Sequence, residues 1–363
     1  MDFTQERVAT LHDYGDADPP APTDRTAVVV PMTDRDAGGL APERIFSSLS
    51  SLDVARVIVP VRAPDDRMPA IVEWLDGFDM SVDPLWCNGP VVEALLDDHG
   101  LDGDAGKGRD VWLAIGLADE VDYVALHDAD VRSHDRGDLR KLLAPLEDGF
   151  SFTKGYYARV ENHMLYGRLF RLLYAPLVEA LAADHDAQIL AYLGAFRYGL
   201  AGELGMTTDL ARSMRVPRRW GLEVGTLGET FDAVGFDGTA QVDLGRYEHD
   251  HRGVTGPSGL SAMAAGVARS LLRVVEAAGV APAYDTLPSR YERVANRYVR
   301  QYRADARFNG LDFDEAAERE QVRTYASALA PPGEDDRLPA WTESPLDAGA
   351  LRAAVAADLD RVR

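Results

Sequence analysis

Cysteine occurs once in these 363 residues, at Cys87, which excludes an internal disulfide and a metal cage built from thiolates. Lysine is nearly as scarce: Lys107, Lys141 and Lys154 are the only three, and arginine supplies the other 35 positive charges. No run of about 18 apolar residues occurs, so no transmembrane helix is expected. The opening stretch MDFTQERVATLHDYGDADPPAPTDRT has neither the basic nor the apolar region of a signal peptide, and a cytoplasmic location without a membrane partner is expected. Two nucleotide-binding fingerprints are also missing. No Ser or Thr follows Lys107 as a P-loop requires, and no GxGxxG follows the first apolar run.

What is abundant is acid. Sixty Asp and Glu face 38 Lys and Arg, a net charge of −22, within a chain that is 46% hydrophobic and therefore globular. Such a surface repels itself in ordinary salt and is screened at high salt, which reads as adaptation to a salt-rich cytoplasm; an acidic face for a basic partner is the alternative. Nucleic acid is not an expected partner, because phosphate contacts need a positive field. Where a lysine survives in this background, something other than solvation is expected to keep it.

From Thr26 onward, apolar runs alternate with segments of helical spacing. TAVVVP (26–31), ARVIVPV (55–61), SVDPLWC (81–87) and VDYVALHDAD (121–130) read as strands. ERIFSSLSSL (43–52), DRMPAIVEWLDGF (66–78) and GKGRDVWLAIGLA (106–118) read as helices. The rhythm predicts an α/β fold, a mostly parallel sheet with helices on both faces and a ligand crevice at the carboxyl ends of the strands. Residues 1–24 are expected to form an acidic arm on the surface. Beyond Phe150, FSFTKGYYARV (150–160) reads as an antiparallel strand, 163–182 as a helix and RYGLAGELGM (197–206) as a loop leading into a helix. Residues 218–235 read as another helix, and TAQVDLGRYEHDH (239–251) as a strand ending in His249 and His251. The expected division is a catalytic domain over 25–255, a helical region over 256–330, and a linker with a terminal helix over 331–363.

Asp128 and Asp130 close the apolar run YVAL. On a strand, residues two apart point to the same side, and two close carboxylates repel unless a cation or proton lies between them. At the rim of a ligand crevice this favours Mg²⁺ or Mn²⁺, which bind one or two carboxylates together with substrate phosphates. The plainer alternative is a polar turn in which Asp130 caps the next segment. In GKG (106–108), glycines at a helix start let backbone approach a phosphate, and Lys107 adds a point charge; an ordinary flexible loop is the alternative.

The ordered set of Pro31 after the first apolar strand, GKG at 106–108, DAD at 128–130, KGYYAR at 154–159, LAGE at 200–203, WGLEVGTL at 220–227 and VDLG through His249 resembles the glucosyl-3-phosphoglycerate synthases. These are retaining glycosyltransferases of the GT-A fold, a Rossmann-like nucleotide-sugar-binding sheet, and the likeness spans about residues 26–255. It implies a Mg²⁺ or Mn²⁺ cofactor held by Asp130 and His249, with Asp128 reaching the ribose or the metal. It also implies Pro31, Asp34, Lys107 and Glu203 on the nucleotide-sugar side, and the Leu200 carbonyl and Glu223 carboxylate beside the sugar. Gly167 and Arg168 would form the acceptor-phosphate site. The sequence departs from the family at PMTDRD (31–36), where Asp34 would take a uracil or ribose contact. Phe170 replaces a small hydroxyl residue, and His251 replaces an asparagine on the acceptor side.

The expected reaction is therefore metal-dependent transfer of a hexose, glucose from UDP-glucose, to a small phosphorylated or acidic acceptor such as 3-phosphoglycerate. A transferase using GDP-mannose or another NDP-sugar with a different acceptor is a second reading. A catalytically silent sugar-nucleotide-binding protein is a third. A homodimer through the C-terminal helices is a further family-based expectation.

Overall fold

Thr26–Val29 is buried at every residue, as a central parallel strand must be when helices cover both faces. The computed structural model describes residues 5–250 and 257–363. Its first half runs β1 (Ala9–Leu11), β2 (Thr26–Val29), β3 (Met32–Thr33), α1 (Leu40–Leu49), β4 (Arg56–Arg62), α2 (Met68–Asp76), β5 (Val82–Trp86), α3 (Pro90–Asp98), α4 (Lys107–Leu117), β6 (Tyr123–Leu126) and α5 (Arg136–Glu147). The second half runs β7 (Phe152–Glu161), β8 (Met164–Leu165), α6 (Ala175–Ala182), α7 (Gln188–Leu193), β9 (Leu204–Thr207), α8 (Thr208–Ser213), α9 (Leu222–Val234) and β10 (Thr239–Tyr247). Helices α10 (Pro257–Ala277), α11 (Leu287–Phe308), α12 (Glu315–Ala326) and α13 (Ala348–Asp360) follow.

The sheet order is β1-β10-β7-β9-β6-β2-β4-β3, with β5 also on β4 and β8 on β7. β2 is parallel to β4 and β6, β4 to β5, and β10 to β7 and β1. β9 runs against both neighbours, β6 and β7, and so joins two parallel blocks. The sheet is thus mostly parallel with helices on both faces and a helical C-terminal extension. Among the described residues no helix is long and apolar enough to cross a membrane.

Several local expectations change. β7 is antiparallel only to β8 and β9, because β10 returns beside it in parallel. LGMT, expected within a loop, is β9, buried in its first three residues. Its Gly205 leaves room for the Thr153 hydroxyl, which would lie 2.9 Å from an added Cβ. Residues 163–182 start as the β8 hairpin and one π-helical turn, Leu169–Tyr174, before α6 begins. Helical spacing does not separate a π turn from an α turn, and the hairpin rests on Asn162 and His163 at positive φ. Part of the expected arm joins the sheet as β1 on β10, with Val8 fully buried.

The last residues fold back as well. Trp341 stacks on Trp112 with ring centroids 4.4 Å apart, and its indole N–H donates to the Trp112 carbonyl at 2.6 Å. Gly116 makes the space, since a Cβ there would stand 2.0 Å from the Trp341 ring. The buried Asp358 carboxylate of α13 accepts the Val91 and Val92 amides at 2.9 Å, capping the otherwise unsatisfied first turn of α3.

Candidate donor and catalytic site

Lys107, at the first turn of α4, reaches across the sheet rim to Asp128 at 2.6 Å and to Glu223 at 2.9 Å. Burial works against its ammonium, but Asp128 and Glu223 outweigh it and raise its pKa. The pairing follows from the glycines beside it. A Cβ on Gly108 would lie 1.7 Å from the Pro217 carbonyl oxygen, and one on Gly106 would lie 2.7 Å from the Arg219 Cα. The Arg109 amide then donates to the Arg218 carbonyl at 2.9 Å. These glycines were expected to admit a phosphate; they admit the protein's own 217–219 backbone, the segment that leads into α9 and Glu223. Lys107 and Glu223, 116 positions apart, are brought together this way.

Asp128 and Asp130 lie beyond β6, which stops at Leu126. Strand alternation therefore does not place them, and a turn does. The fixing contacts come from the end of β10: Val131 bridges to His249, the Asp250 amide donates to the Asp130 carbonyl at 2.6 Å, and the Arg132 amide donates to the Glu248 carbonyl at 2.7 Å. His249 is thus carried to the DAD turn by backbone pairing, just past a strand that ends at Tyr247 rather than at His249. It is buried, its amide donates to Glu161 at 3.0 Å, and its ring lies 5.8 Å from that of Tyr157. Burial, and then the neighbouring Asp128, push the Asp130 carboxyl up to about 7. Asp128 stays below its ordinary value, because Lys107 outweighs the opposing effect of burial.

The loop before β9 closes the site. Gly202 packs on Asp128 so tightly that a Cβ would stand 2.2 Å from Oδ2. Glu203 is completely buried, and neither of its carboxylate oxygens finds a hydrogen bond of normal geometry. Burial, with Asp128 next, pushes its pKa up to about 7. Leu200 sits half-buried in the same loop. Sequence reasoning left Lys154 out of the site. It is completely buried on β7, and its ammonium donates to the Ala201 carbonyl at 2.8 Å, so it holds the Leu200–Glu203 loop from behind. Burial pulls its pKa down to about 8. The scarcity of lysine was the signal that could have found it. Lys141, by contrast, pairs with Asp13 at 2.7 Å, away from this group.

The other expected residues are more dispersed. Pro31 and Asp34 flank the short β3, with the Asp34 amide on the Arg62 carbonyl at 3.1 Å and the turn closed by Asp36 on the Thr33 amide at 2.7 Å. Gly167 has φ +78° and lies against the Tyr198 hydroxyl. Arg168 turns toward α12, where its Nε donates to Glu318 at 2.9 Å. His251 lies outside the described residues.

Among the described residues, no three of His, Cys, Asp and Glu form an ion cage by themselves. A hard divalent cation still fits, because Mg²⁺ and Mn²⁺ take few protein ligands and complete their shell with substrate phosphates and water. The raised Asp130 and Glu203 carboxyls, neither paired with a cation, mark negative charge packed here beyond what the protein neutralises.

A mostly parallel sheet whose rim gathers a lysine, a DxD-type turn and a histidine delivered by the last strand defines a nucleotide-sugar glycosyltransferase of the GT-A type. No family model matches the sequence. The glucosyl-3-phosphoglycerate synthase of Methanococcoides burtonii is 32% identical over 379 residues, covering 95% of this chain and 94% of its own. That of Persephonella marina is 35% identical over 285 residues, covering 74% and 70%. The crystal structure of the Mycobacterium tuberculosis glucosyl-3-phosphoglycerate synthase with Mn²⁺, UDP and phosphoglyceric acid aligns with TM-score 0.57 at 23% identity, over 76% of this chain and 88% of that one. Its complex with Mn²⁺, UDP-glucose and phosphoglyceric acid aligns with TM-score 0.58 at 22% identity, over 76% and 89%. The chain belongs to the glucosyl-3-phosphoglycerate synthase family.

Proposed function

We propose that this chain transfers glucose from UDP-glucose to 3-phosphoglycerate, with retention of the anomeric configuration and with Mg²⁺ or Mn²⁺. The observation that carries the reading is the rim itself: Lys107 tied to Asp128 and Glu223, beside the half-buried Asp130 and the buried Glu203, whose carboxyls are pushed up to about 7. The name of the relatives, and the ligands in the M. tuberculosis complexes, support the donor and the acceptor.

Asp130 and His249 would hold the ion, which when bound neutralises charge on the departing diphosphate. Lys107 contributes a permanent positive charge on the same side. Asp128, held by Lys107, takes the ribose or metal side of the donor, and Asp34, across β3 from Pro31, takes a uracil or ribose contact. As the glucosyl carbon gains oxocarbenium character, the Glu223 carboxylate and the Leu200 carbonyl stabilise it. Glu203 and Lys154 set the Leu200 loop from the buried side. Arg168 beside Gly167 offers a guanidinium fork to the acceptor's anionic group. Residues 25–255 then form the catalytic domain, and a net charge of −22 suits work in a salt-rich cytoplasm.

The test is thermal stabilisation at high salt by UDP-glucose and by GDP-mannose, each with and without Mn²⁺, followed by NMR of the product anomer. UDP-glucose is expected to stabilise only with the metal and to yield the α-linked product. Stabilisation by GDP-mannose alone would overturn the donor, and an inverted anomer would overturn the retaining chemistry.

A further inference from the structure

Five arginines meet around one cavity in this acidic chain. The cavity measures about 270 Å³ and lies between the Pro217–Trp220 segment, α10 and the chain around Asp336. Arg218, Arg219, Arg269, Arg273 and Arg337 line it, against only Asp104 and Asp336. Most of them already have work. Arg337 pairs with Glu229 at 2.6 Å and Asp335 at 3.0 Å. Arg273 donates to the Pro332 carbonyl at 3.1 Å and pairs with Asp335 at 3.8 Å, and Arg219 reaches Asp104 at 3.2 Å in a solvent-exposed pair. Two are left without a carboxylate. Arg218 is held by main-chain oxygens alone, those of Leu101 and Asp336, both at 2.9 Å. Arg269, exposed on α10, has no hydrogen-bond or ion-pair partner among the described residues. Trp220 is 37% exposed and lines the same cavity, the base of its side chain pressed on Gly266, where an added Cβ would stand 2.5 Å from the Trp220 Cβ.

We infer that this cavity is a second anion site, which takes inorganic phosphate or a small phosphomonoester. Guanidinium groups match phosphate oxygens in a fixed fork, and a half-exposed indole gives an ester's organic part a surface to lie on. Burial lowers the Arg218 pKa although Asp336 opposes the shift, so this guanidinium has lost water without gaining a full counter-charge. The Pro217–Arg219 backbone separates the cavity from the Lys107 turn, which packs on its other side. The site is therefore distinct from the donor rim, and its binding does not rest on the glucosyl-transfer reading.

Calorimetry on the full chain, saturated with UDP and Mg²⁺ and held at constant chloride, tests it with inorganic phosphate and with glucose 6-phosphate. A binding event additional to any at the Arg168 acceptor side is expected for either probe, with quenching of indole fluorescence that disappears in Trp220→Phe. Arg269→Ala is expected to weaken binding about tenfold while leaving UDP affinity unchanged. Arg218→Gln should weaken phosphate binding likewise; if that variant misfolds, the exposed Arg269 decides alone. Equal affinity in wild type and Arg269→Ala would overturn the site. So would a response reproduced by chloride at the same ionic strength, since that is screening and not binding.

Discussion

Two glutamates, Glu203 and Glu318, are both buried and yet stand in opposite electrostatic settings. Glu318, on α12, receives Arg168 Nε at 2.9 Å and the two terminal nitrogens of Arg171 at 3.0 and 3.2 Å. Glu203, on the candidate rim, is bonded to no cation, has only the Tyr157 hydroxyl beside its carboxylate, and is pushed up to about 7 by burial. A buried carboxylate with its cations in place ties elements together; here it joins α12 to the π turn after β8. A buried carboxylate without them stores an electrostatic cost that only a ligand or a proton relieves. The comparison separates the region proposed to do chemistry from the region that braces it.

The largest effect should come from breaking the uncompensated side. Asp130→Asn is expected to reduce glucosyl transfer by at least about a hundredfold, read by UDP release, while the melting temperature holds or rises because a repelled carboxylate is gone. Normal turnover in that variant would remove Asp130 from the site. Lys107→Met comes next. It leaves Asp128 and Glu223 facing each other, and UDP-glucose affinity should fall roughly thirtyfold, with stability lower by about 2 kcal/mol since all three groups keep some solvent.

On the compensated side the pattern should invert. Glu318→Gln is expected to cost about 3 kcal/mol of stability by leaving Arg171 buried without its counter-charge, with kcat little changed and any kinetic effect confined to the acceptor KM through Arg168. A collapse of kcat in a folded Glu318→Gln protein would erase the distinction between the two regions. The smallest effect is a pH dependence carried by Lys154. Its folded pKa, about 8, lies below the unfolded value near 10.5. Between those values the unfolded chain holds the proton that the folded chain has released, so stability gains from this group as pH rises through that window. Chemical denaturation of wild type against Lys154→Met should show a gain on the order of 2 kcal/mol in the wild type alone, and parallel curves would refute the shift.

The first half of the fold was legible because its strands are buried on both faces and read as unbroken apolar runs. β2, β5 and β6 lie within the expected segments, and β4 overruns its own by one residue, Arg62. The shorter elements escaped. α3 and α7 have nine and six residues, and α5 carries a Pro145 that blurs its pattern, although its Asp135–Asp138 capping box marks where it begins. At the site, DAD, GKG and His249 were visible as residue types, but the reasons given for two of them were local and the actual causes are not. The glycines of GKG serve a contact more than a hundred positions away, and DAD is placed by the end of β10 rather than by strand pleat. Lys154 was quoted within KGYYAR and yet left unassigned, because nothing in its neighbours indicates that Ala201 waits for it.

The amino-acid order alone settled which chemistry was available: carboxylates and a histidine at strand ends and a rare lysine at a helix start, in an α/β chain with no thiol cage and no P-loop. It also settled the acidic character of the surface. Only the folded chain decided which of those groups lack a partner, because charge compensation depends on distance in space and falls steeply within a few ångströms. That is why Glu318 became a brace and Glu203 an unpaired charge, although each is simply a glutamate in the linear text.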